Sequence, residues 1–318
     1  MSTELISVII CTYNRSEMLD SALRSLKEQQ ASPNVHFEIV VVDDGSADST
    51  QLVVRTHLLA STVPIRYVRQ EHAGIAAARN RGFLASSGSW IAFFDDDQIA
   101  ASNWLVRLFD KATTEDVDIV GGPCLLRLTG NGHCALDPTI RRLLGENPRM
   151  MQEGIYRGRG WDPRKRAVIP GTGNVLVKRI AFERVGLFNE SRKYGEDREF
   201  FVRAMKARLT FAVANAAVVY HVVPSSRLTA RYLLNTAMKG GQTLAEIDQS
   251  ASGRAFVLWN ACLRLAHFFV VTLPGFGRSW LCHNHASMLA RRCSARFTME
   301  YIAVALAGQK RASKFLPD

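Results

Sequence analysis

No CxxC pair occurs among the six cysteines, at positions 11, 124, 134, 262, 282 and 293. That removes a dithiol redox motif, and scattered free thiols read as a chain kept in a reducing compartment. Cys282-His283-Asn284-His285 with Cys293 has the residue types of a zinc site, but the spacing matches no zinc pattern. Met1–Leu5 has neither a basic n-region nor an apolar h-region, so no secretory signal is expected. Internal repeats and low-complexity tracts are also missing, and wholesale disorder is excluded by a 47% hydrophobic content that can build one large or two medium cores. Acids are scarce in one region only. From Ser226 onward 12 Lys/Arg face 4 Asp/Glu, whereas the first 225 residues hold 28 against 25. The net charge of +11 therefore belongs mainly to the tail. A basic tail meets anionic lipid, nucleic acid or water; no nucleic-acid motif accompanies it, so nucleic acid is not an expected partner.

The longest apolar run, the 19 residues Ala255 to Leu273, carries Asn260, Arg264 and His267 within it. A spanning helix needs about 20 mainly apolar residues, and a mid-helix Arg costs about 2.5–3.5 kcal/mol on insertion. An interfacial or core helix is favoured over a transmembrane one. Lying in the headgroup region beside basic residues 278, 291, 292 and 296, it would bind an anionic membrane surface.

The first half alternates strand and helix patterns. Ile6–Ile10, Phe37–Val42, Ile65–Val68 and Trp90–Phe94 are near-continuous apolar runs, separated by helical spacings at Met18–Leu26, Gln51–Leu59 and Ala73–Ala85. This pattern predicts an α/β fold with a mostly parallel sheet covered on both faces. Ligands then bind outside the carboxyl ends of the strands. Polar clusters sit at those ends: Thr12-Tyr13-Asn14-Arg15, Asp43-Asp44 and Asp95-Asp96-Asp97. Further strands are expected at Asp118–Gly122, Asn174–Val177 and Phe211–Tyr220, the last ending at His221, with helices at Arg179–Val185 and Arg198–Arg208. Residues 127–167, rich in Gly, Pro and Arg, read as a long irregular segment, and residues 226–318 as helical.

Asp95-Asp96-Asp97 leaves a buried run with no basic residue beside it. Adjacent carboxylates repel unless a cation or strong donors offset them. A hard divalent cation, Mg²⁺ or Mn²⁺, suits such oxygen ligands and bridges to substrate phosphate. The plainer alternative is a charged turn capping the next helix.

The pieces Ser7–Arg15, Val41–Ser46, Gly74 with Ala78–Gly82, Phe93–Asp97, Gly171–Asn174, Val185–Glu190 and Gly195-Glu196-Asp197 occur in that order. Together they resemble the family-2 inverting glycosyltransferases with the GT-A fold, over about residues 5 to 221. The resemblance implies a Rossmann-like nucleotide-binding domain fused to an acceptor-binding region, here with a helical C-terminal tail. Residues 1–115 would form the donor half, 116–225 the acceptor and base half, and 226–318 the basic helical region. It implies a nucleotide-diphosphate sugar donor, usually a UDP-sugar, with Mg²⁺ or Mn²⁺. Cys11, Thr12 and Tyr13 would line the base and ribose. Asp44, with Asp43 beside it, would bind base or ribose, a role compatible with an Asx turn at Gly45. Arg15 belongs to the same donor-binding set. Arg79 would reach the diphosphate or lie on a solvated helix face. Asp95 and Asp97 form the D-x-D element, with Asp97 on the metal and Asp96 on sugar or ribose. His221 would bind metal or diphosphate, or be structural. Asp197 would be the general base, and Glu196 would bind acceptor or orient the base. Two departures stand out: Cys11 where the family often has Pro, and Glu199 as a longer second acid, which touches the acceptor subsite.

The implied activity is sugar transfer to a glycan or lipid-linked acceptor in cell-surface polysaccharide synthesis, at the cytoplasmic face of the membrane. The rival readings are a sugar-phosphate nucleotidyltransferase, which would want a Gly-rich basic loop where Cys11–Arg15 stands, and a non-catalytic glycan- or nucleotide-binding module.

Overall fold

A computed structural model describes residues 4–30, 35–129, 136–147, 150 and 170–307. The chain separates into two compact units, Met1–Arg127 with Glu146–Val222, and Leu128–Gly145 with Val223–Asp318.

The first unit is built on a seven-stranded sheet. Its strands in chain order are β1 (Glu4–Thr12), β2 (Val35–Asp43), β3 (Ile65–Arg69), β4 (Trp90–Asp95), β6 (Ile119–Gly121), β8 (Asn174–Lys178) and β9 (Phe211–Val213), in spatial order β3-β2-β1-β4-β8-β6-β9. The pairs among β3, β2, β1 and β4, and the pair β6–β9, are parallel; β8 runs antiparallel to both its neighbours. Helices α1 (Ser16–Lys27), α2 (Thr50–Leu59), α3 (Ile75–Ala85), α4 (Trp104–Thr114), α6 (Arg179–Val185) and α7 (Glu196–Lys206) complete the α/β layers.

The Val/Ile-rich strands are buried on both faces, as a sheet covered by helices requires. Alternation sorts the side chains. Ile6, Val8 and Ile10 of β1 join Ala92 and Phe94 of β4 in one core with α1 and α4, while Ile9 joins Ile91 and Phe93 in the other with Phe182, Phe188 and Phe200. Register then fixes the site. Thr12 lies opposite Asp43, and Cys11 opposite Asp95, so three strands end level with one another.

A second, three-stranded sheet has the order β5-β10-β7, with β5 Gln98–Ala100, β7 Cys124–Leu128 and β10 Val219–Val223. The single strand expected over Phe211–Tyr220 is in fact two strands, β9 and β10, in different sheets. A turn intervenes, with the Ala217 N–H donating to the Ala214 carbonyl at 3.0 Å. His221 consequently lies inside β10 rather than beyond a strand end. Most of the irregular segment expected over 127–167 lies outside the described residues. Within it α5 (Pro138–Leu143) forms in the second unit, started by Asp137, whose carboxylate accepts the Thr139 N–H at 2.7 Å, and by Pro138 in the first turn.

The rest of the second unit is helical: α8 (Ala230–His267), a π-helical turn Phe268–Thr272, α9 (Leu273–Leu281) and α10 (His285–Ala307). Gly253 breaks α8 with φ 84°, a left-handed conformation that glycine adopts without steric cost. α8 packs on α10 through Ala245, Val257, Ala261, Tyr301 and Ala305, and the Tyr301 hydroxyl donates to Asp248 Oδ2 at 2.8 Å. Among the described residues one helical run, Ala230–Leu281, is long and apolar enough by length and composition to cross a membrane.

α3 approaches the sheet through Gly82, where an added Cβ would fall 2.4 Å from Ile9 Cγ2 and 3.1 Å from Val42 Cγ2. Gly82→Ala is therefore expected to destabilise the chain by about 1–3 kcal/mol through overpacking, despite alanine's better helix propensity. Urea unfolding measures this, and an unchanged or higher midpoint would contradict the packing.

Candidate functional site

Residues at the level ends of β1, β2 and β4 build the site, with later elements bringing partners to them. At the end of β1, Asn14 adopts a left-handed φ of 52°. Its backbone N–H donates to Ser46 Oγ at 2.9 Å and its side chain accepts the Ala47 N–H at 2.8 Å. Asp43 is buried and fully engaged, accepting the Ser46 N–H at 2.8 Å and the Tyr67 hydroxyl at 2.5 Å. The Asp43-Asp44-Gly45-Ser46 segment is thus a hydrogen-bonded turn, the Asx geometry that its composition favours. Asp44 faces the other way. It accepts from Ala73 N–H and Gly74 N–H, both at 2.9 Å, and from Gln70 Nε2 at 2.7 Å, with His72 Nδ1 at 2.9 Å. A carboxylate suits this place, because Ala73 and Gly74 lie just ahead of α3, at the positive end of its dipole.

Above this turn the half-exposed Tyr13 ring stacks on His72, centroids 4.1 Å apart and planes 22° off parallel. Thr12 is buried, and its carbonyl accepts the Asp44 N–H at 3.0 Å. Cys11 is half-buried beside Asp95.

The three aspartates separate by partner. Asp95 lies 3.5 Å from Arg79 Nη2, and its N–H donates to Gln98 Oε1 at 3.2 Å. Asp96 is buried and meets Arg15 Nη1 at 3.0 Å. Asp97 meets the same nitrogen at 3.3 Å and His221 Nε2 at 3.3 Å. Pairing of β10 with β5 creates the second contact, because it sets His221 opposite Gln98, one residue past Asp97. Burial pushes the Asp96 carboxyl up to about 6, even with Arg15 against it.

Arg79 is buried on α3 and bridges distant elements. One end meets Asp95 at the end of β4, and the other is hydrogen-bonded to Glu196 at the start of α7. Burial alone would lower the guanidinium; Glu196, Asp95 and Asp197 outweigh it and hold Arg79 above its ordinary value. Burial pushes the Glu196 carboxyl up, with Arg79 opposing. Arg79 is therefore not on a solvated face. Asp197 follows Glu196 in the first turn of α7, half-buried, its Oδ1 accepting the Arg198 N–H at 2.6 Å. Glu199 turns along the helix to Arg203 Nε at 2.8 Å.

Sequence reasoning passed over several residues that hold this arrangement. Asn80 Nδ2 donates to the Phe188 carbonyl at 2.9 Å and to Glu190 at 2.8 Å, tying α3 to the Val185–Glu190 segment. Asn174 accepts from Trp104 Nε1 at 2.8 Å and donates to the carbonyls of Pro123 and Ala217. Nothing in a lone Asn marks such ties. His72 could have been found, since it sits in a loop at the carboxyl edge of the sheet; Gln98 carried no signal.

Among the described residues no group of three or more His, Cys, Asp and Glu is arranged as a metal cage. Mg²⁺-type sites do not need one, since one or two protein ligands with substrate phosphates and water suffice. Asp97 and His221 supply a hard oxygen and an imidazole nitrogen 3.3 Å apart, close to the edge of about 3 Å that octahedral bonds of 2.0–2.1 Å imply. The Asp97 carboxylate fits a hard divalent cation, and the His221 imidazole is a borderline donor beside it.

Comparison with known proteins follows the same lines. The family model described as Glycosyl transferase family 2 matches residues 7–186. The Succinoglycan biosynthesis protein ExoM of Rhizobium meliloti is 28% identical over 262 residues, covering 81% of this chain and 80% of that protein. Glycosyltransferase AglE of Haloferax volcanii is 30% identical over 216 residues, covering 68% and 66%. In fold, the chain is similar to the mannosyltransferase PcManGT of Pyrobaculum calidifontis, solved with GDP-Man and Mn²⁺, at a TM-score of 0.61 and 18% identity, over 92% of this chain and 86% of that one.

Removing one partner of a buried ion pair leaves an uncompensated charge, so Arg79→Met is expected to cost about 3–5 kcal/mol in urea unfolding. Adding Glu196→Gln should recover part of that loss. A double variant no more stable than Arg79→Met would show that Glu196 is not the charge left stranded.

Proposed function

We propose, since the chain belongs to glycosyl transferase family 2 and has a GT-A fold, that it transfers a sugar with inversion from a nucleotide-diphosphate sugar, a UDP-sugar by preference, to a hydroxyl of a glycan or lipid-linked acceptor in cell-surface polysaccharide synthesis. The observation that carries this reading is the meeting of two carboxylate groups at one strand edge. Asp95 ends β4 with Asp96 and Asp97 directly after it, and Arg79 ties Asp95 to Glu196, next to Asp197 at the head of α7.

In this reading residues 1–115 hold the donor. The nucleobase lies against Tyr13, with Thr12, Cys11 and Asp44 around base and ribose, and Asp43 keeps the Asp44 turn in shape. Asp96 contacts sugar or ribose. Arg15 exchanges its contacts with Asp96 and Asp97 for the donor's phosphates. Asp97 and His221 would hold Mg²⁺ or Mn²⁺, which when bound offsets charge on the departing diphosphate. Asp197, in the half running from 116 to about 225, takes the acceptor hydroxyl's proton as that oxygen attacks the anomeric carbon opposite the nucleotide. Glu196, held by Arg79, fixes the direction in which Asp197 points. Asp95 shares Arg79 with Glu196 and keeps the two carboxylate groups in one frame. The helical second unit holds the enzyme at the cytoplasmic membrane face, where a lipid-linked acceptor is presented.

A panel of nucleotide sugars with Mn²⁺ and acceptor extracts, read as nucleoside diphosphate release, tests the reaction; silence across the panel would sink it. Asp197→Asn is expected to lower transfer by about 10²–10⁴-fold, the usual worth of a general base, while donor binding by calorimetry stays unchanged. Normal transfer by this variant would place the base elsewhere. Asp97→Ala should weaken Mn²⁺ binding at least tenfold in the presence of nucleoside diphosphate, and unchanged affinity would remove Asp97 from the cation site.

A further inference from the structure

The second unit presents an apolar face whose surroundings identify what it meets. Along the last part of α8 and into the π-helical turn, Trp259, Leu263, Ala266 and Val270 recur at intervals of three or four and are all exposed, with Leu265, Phe269 and Val271 exposed beside them. Such spacing makes one stripe along a helix. The opposite face turns inward: Val257, Ala261 and Thr272 are buried. Arg264, which interrupts the apolar run in the sequence, does not interrupt the stripe. Its guanidinium lies over the Tyr301 and Phe297 rings of α10, 4.4 and 5.2 Å from their centroids. Beyond the π-helical turn the exposed stripe continues through Leu273, Trp280 and Leu281 of α9, the last two 66% and 72% accessible.

The exposed charge along this stretch of the chain is mostly of one sign. From Arg254 to Ala307 there are six Arg and a single acid, Glu300, which pairs with Arg296 at 2.9 Å. Arg254, Arg278 and Arg292 are exposed. Soluble monomers rarely expose a contiguous apolar surface of this kind without a use for it.

We propose that this face docks in the plane of an anionic lipid leaflet. The stripe sinks to the acyl boundary, Trp259 and Trp280 sit at headgroup level, and Arg254, Arg278 and Arg292 meet lipid phosphates. A spanning arrangement fits less well. The apolar stretch Ala255–Leu273 carries Arg264 and the exposed His267, and the longer helical run Ala230–Leu281 is interrupted by left-handed Gly253, the π-helical turn and Pro274. A second copy also fits less well, because two such faces would bring like charges together. The inference deepens the membrane-side reading above and rests on it, but its test needs no transferase activity.

The test is flotation of the full chain with phosphatidylcholine vesicles, with and without phosphatidylglycerol. Binding is expected only with the anionic lipid. Leu263→Glu with Val270→Glu should weaken it at least tenfold with circular dichroism unchanged, and Arg278→Gln with Arg292→Gln should erase the anionic preference. Alkaline carbonate should strip the bound protein. Unchanged binding by the stripe variant, equal binding to both vesicles, or retention after carbonate would overturn the proposal. So would a stripe variant that loses self-association by sedimentation but still floats, since the face would then belong to a second copy. The stripe variant should release nucleoside diphosphate from donor with a soluble acceptor as the parent does. A chain that floats as expected but releases none leaves the docking face standing and sinks the transferase reading alone.

Discussion

Carboxylates crowded on one edge of a sheet repel each other, and the first unit is arranged around offsetting them. At about 4 Å two like charges cost about 4 kcal/mol in the effective dielectric of a protein surface. Each acid therefore needs its own answer. Arg79 answers Asp95 and Glu196, Arg15 answers Asp96 and Asp97, His221 reaches Asp97, and backbone N–H groups with Gln70 and His72 answer Asp44. These partners come from three stretches far apart in the chain, at Arg15, Gln70–Arg79 and His221, so answering the edge also ties those stretches together.

This arrangement makes the structural and chemical roles hard to separate. Arg15 reaches two of the three aspartates while remaining 43% accessible in its side chain. A partly hydrated cation of that kind can exchange partners at lower cost than buried Arg79. The edge thus has one accessible countercharge, Arg15, and one buried countercharge, Arg79.

Much of the first unit was readable from the sequence, because parallel strands buried on both faces leave continuous apolar runs and their carboxyl ends announce themselves with polar clusters. The runs at Ile6–Ile10, Phe37–Val42, Ile65–Val68 and Trp90–Phe94 all became strands. The short strands β5 and β7 were missed, and Phe211–Tyr220 was read as one strand because the turn between β9 and β10, Ala214-Asn215-Ala216-Ala217, is itself mostly apolar. The residue types of the site were visible, but their pairing was not. Nothing in Arg79 itself says that it reaches Glu196 across 117 positions. In the second unit, the sequence showed an Arg inside an apolar run; only packing against α10 shows that Arg264 and the exposed stripe lie on different faces.

The antiparallel insertion of β8 between β4 and β6 has a consequence for how the chain is made. On a ribosome the first four strands emerge together and can pair as β3-β2-β1-β4, leaving β4 as an open edge of Trp90-Ile91-Ala92-Phe93-Phe94. Its partner β8 begins about 80 residues later, a wait of roughly 4–16 s at ordinary elongation rates. During that interval the most hydrophobic edge of the nascent domain has unpaired backbone groups, a template for pairing with any other strand. The stretch of translation from residue 96 to 178 is therefore the period in which this protein most needs a chaperone.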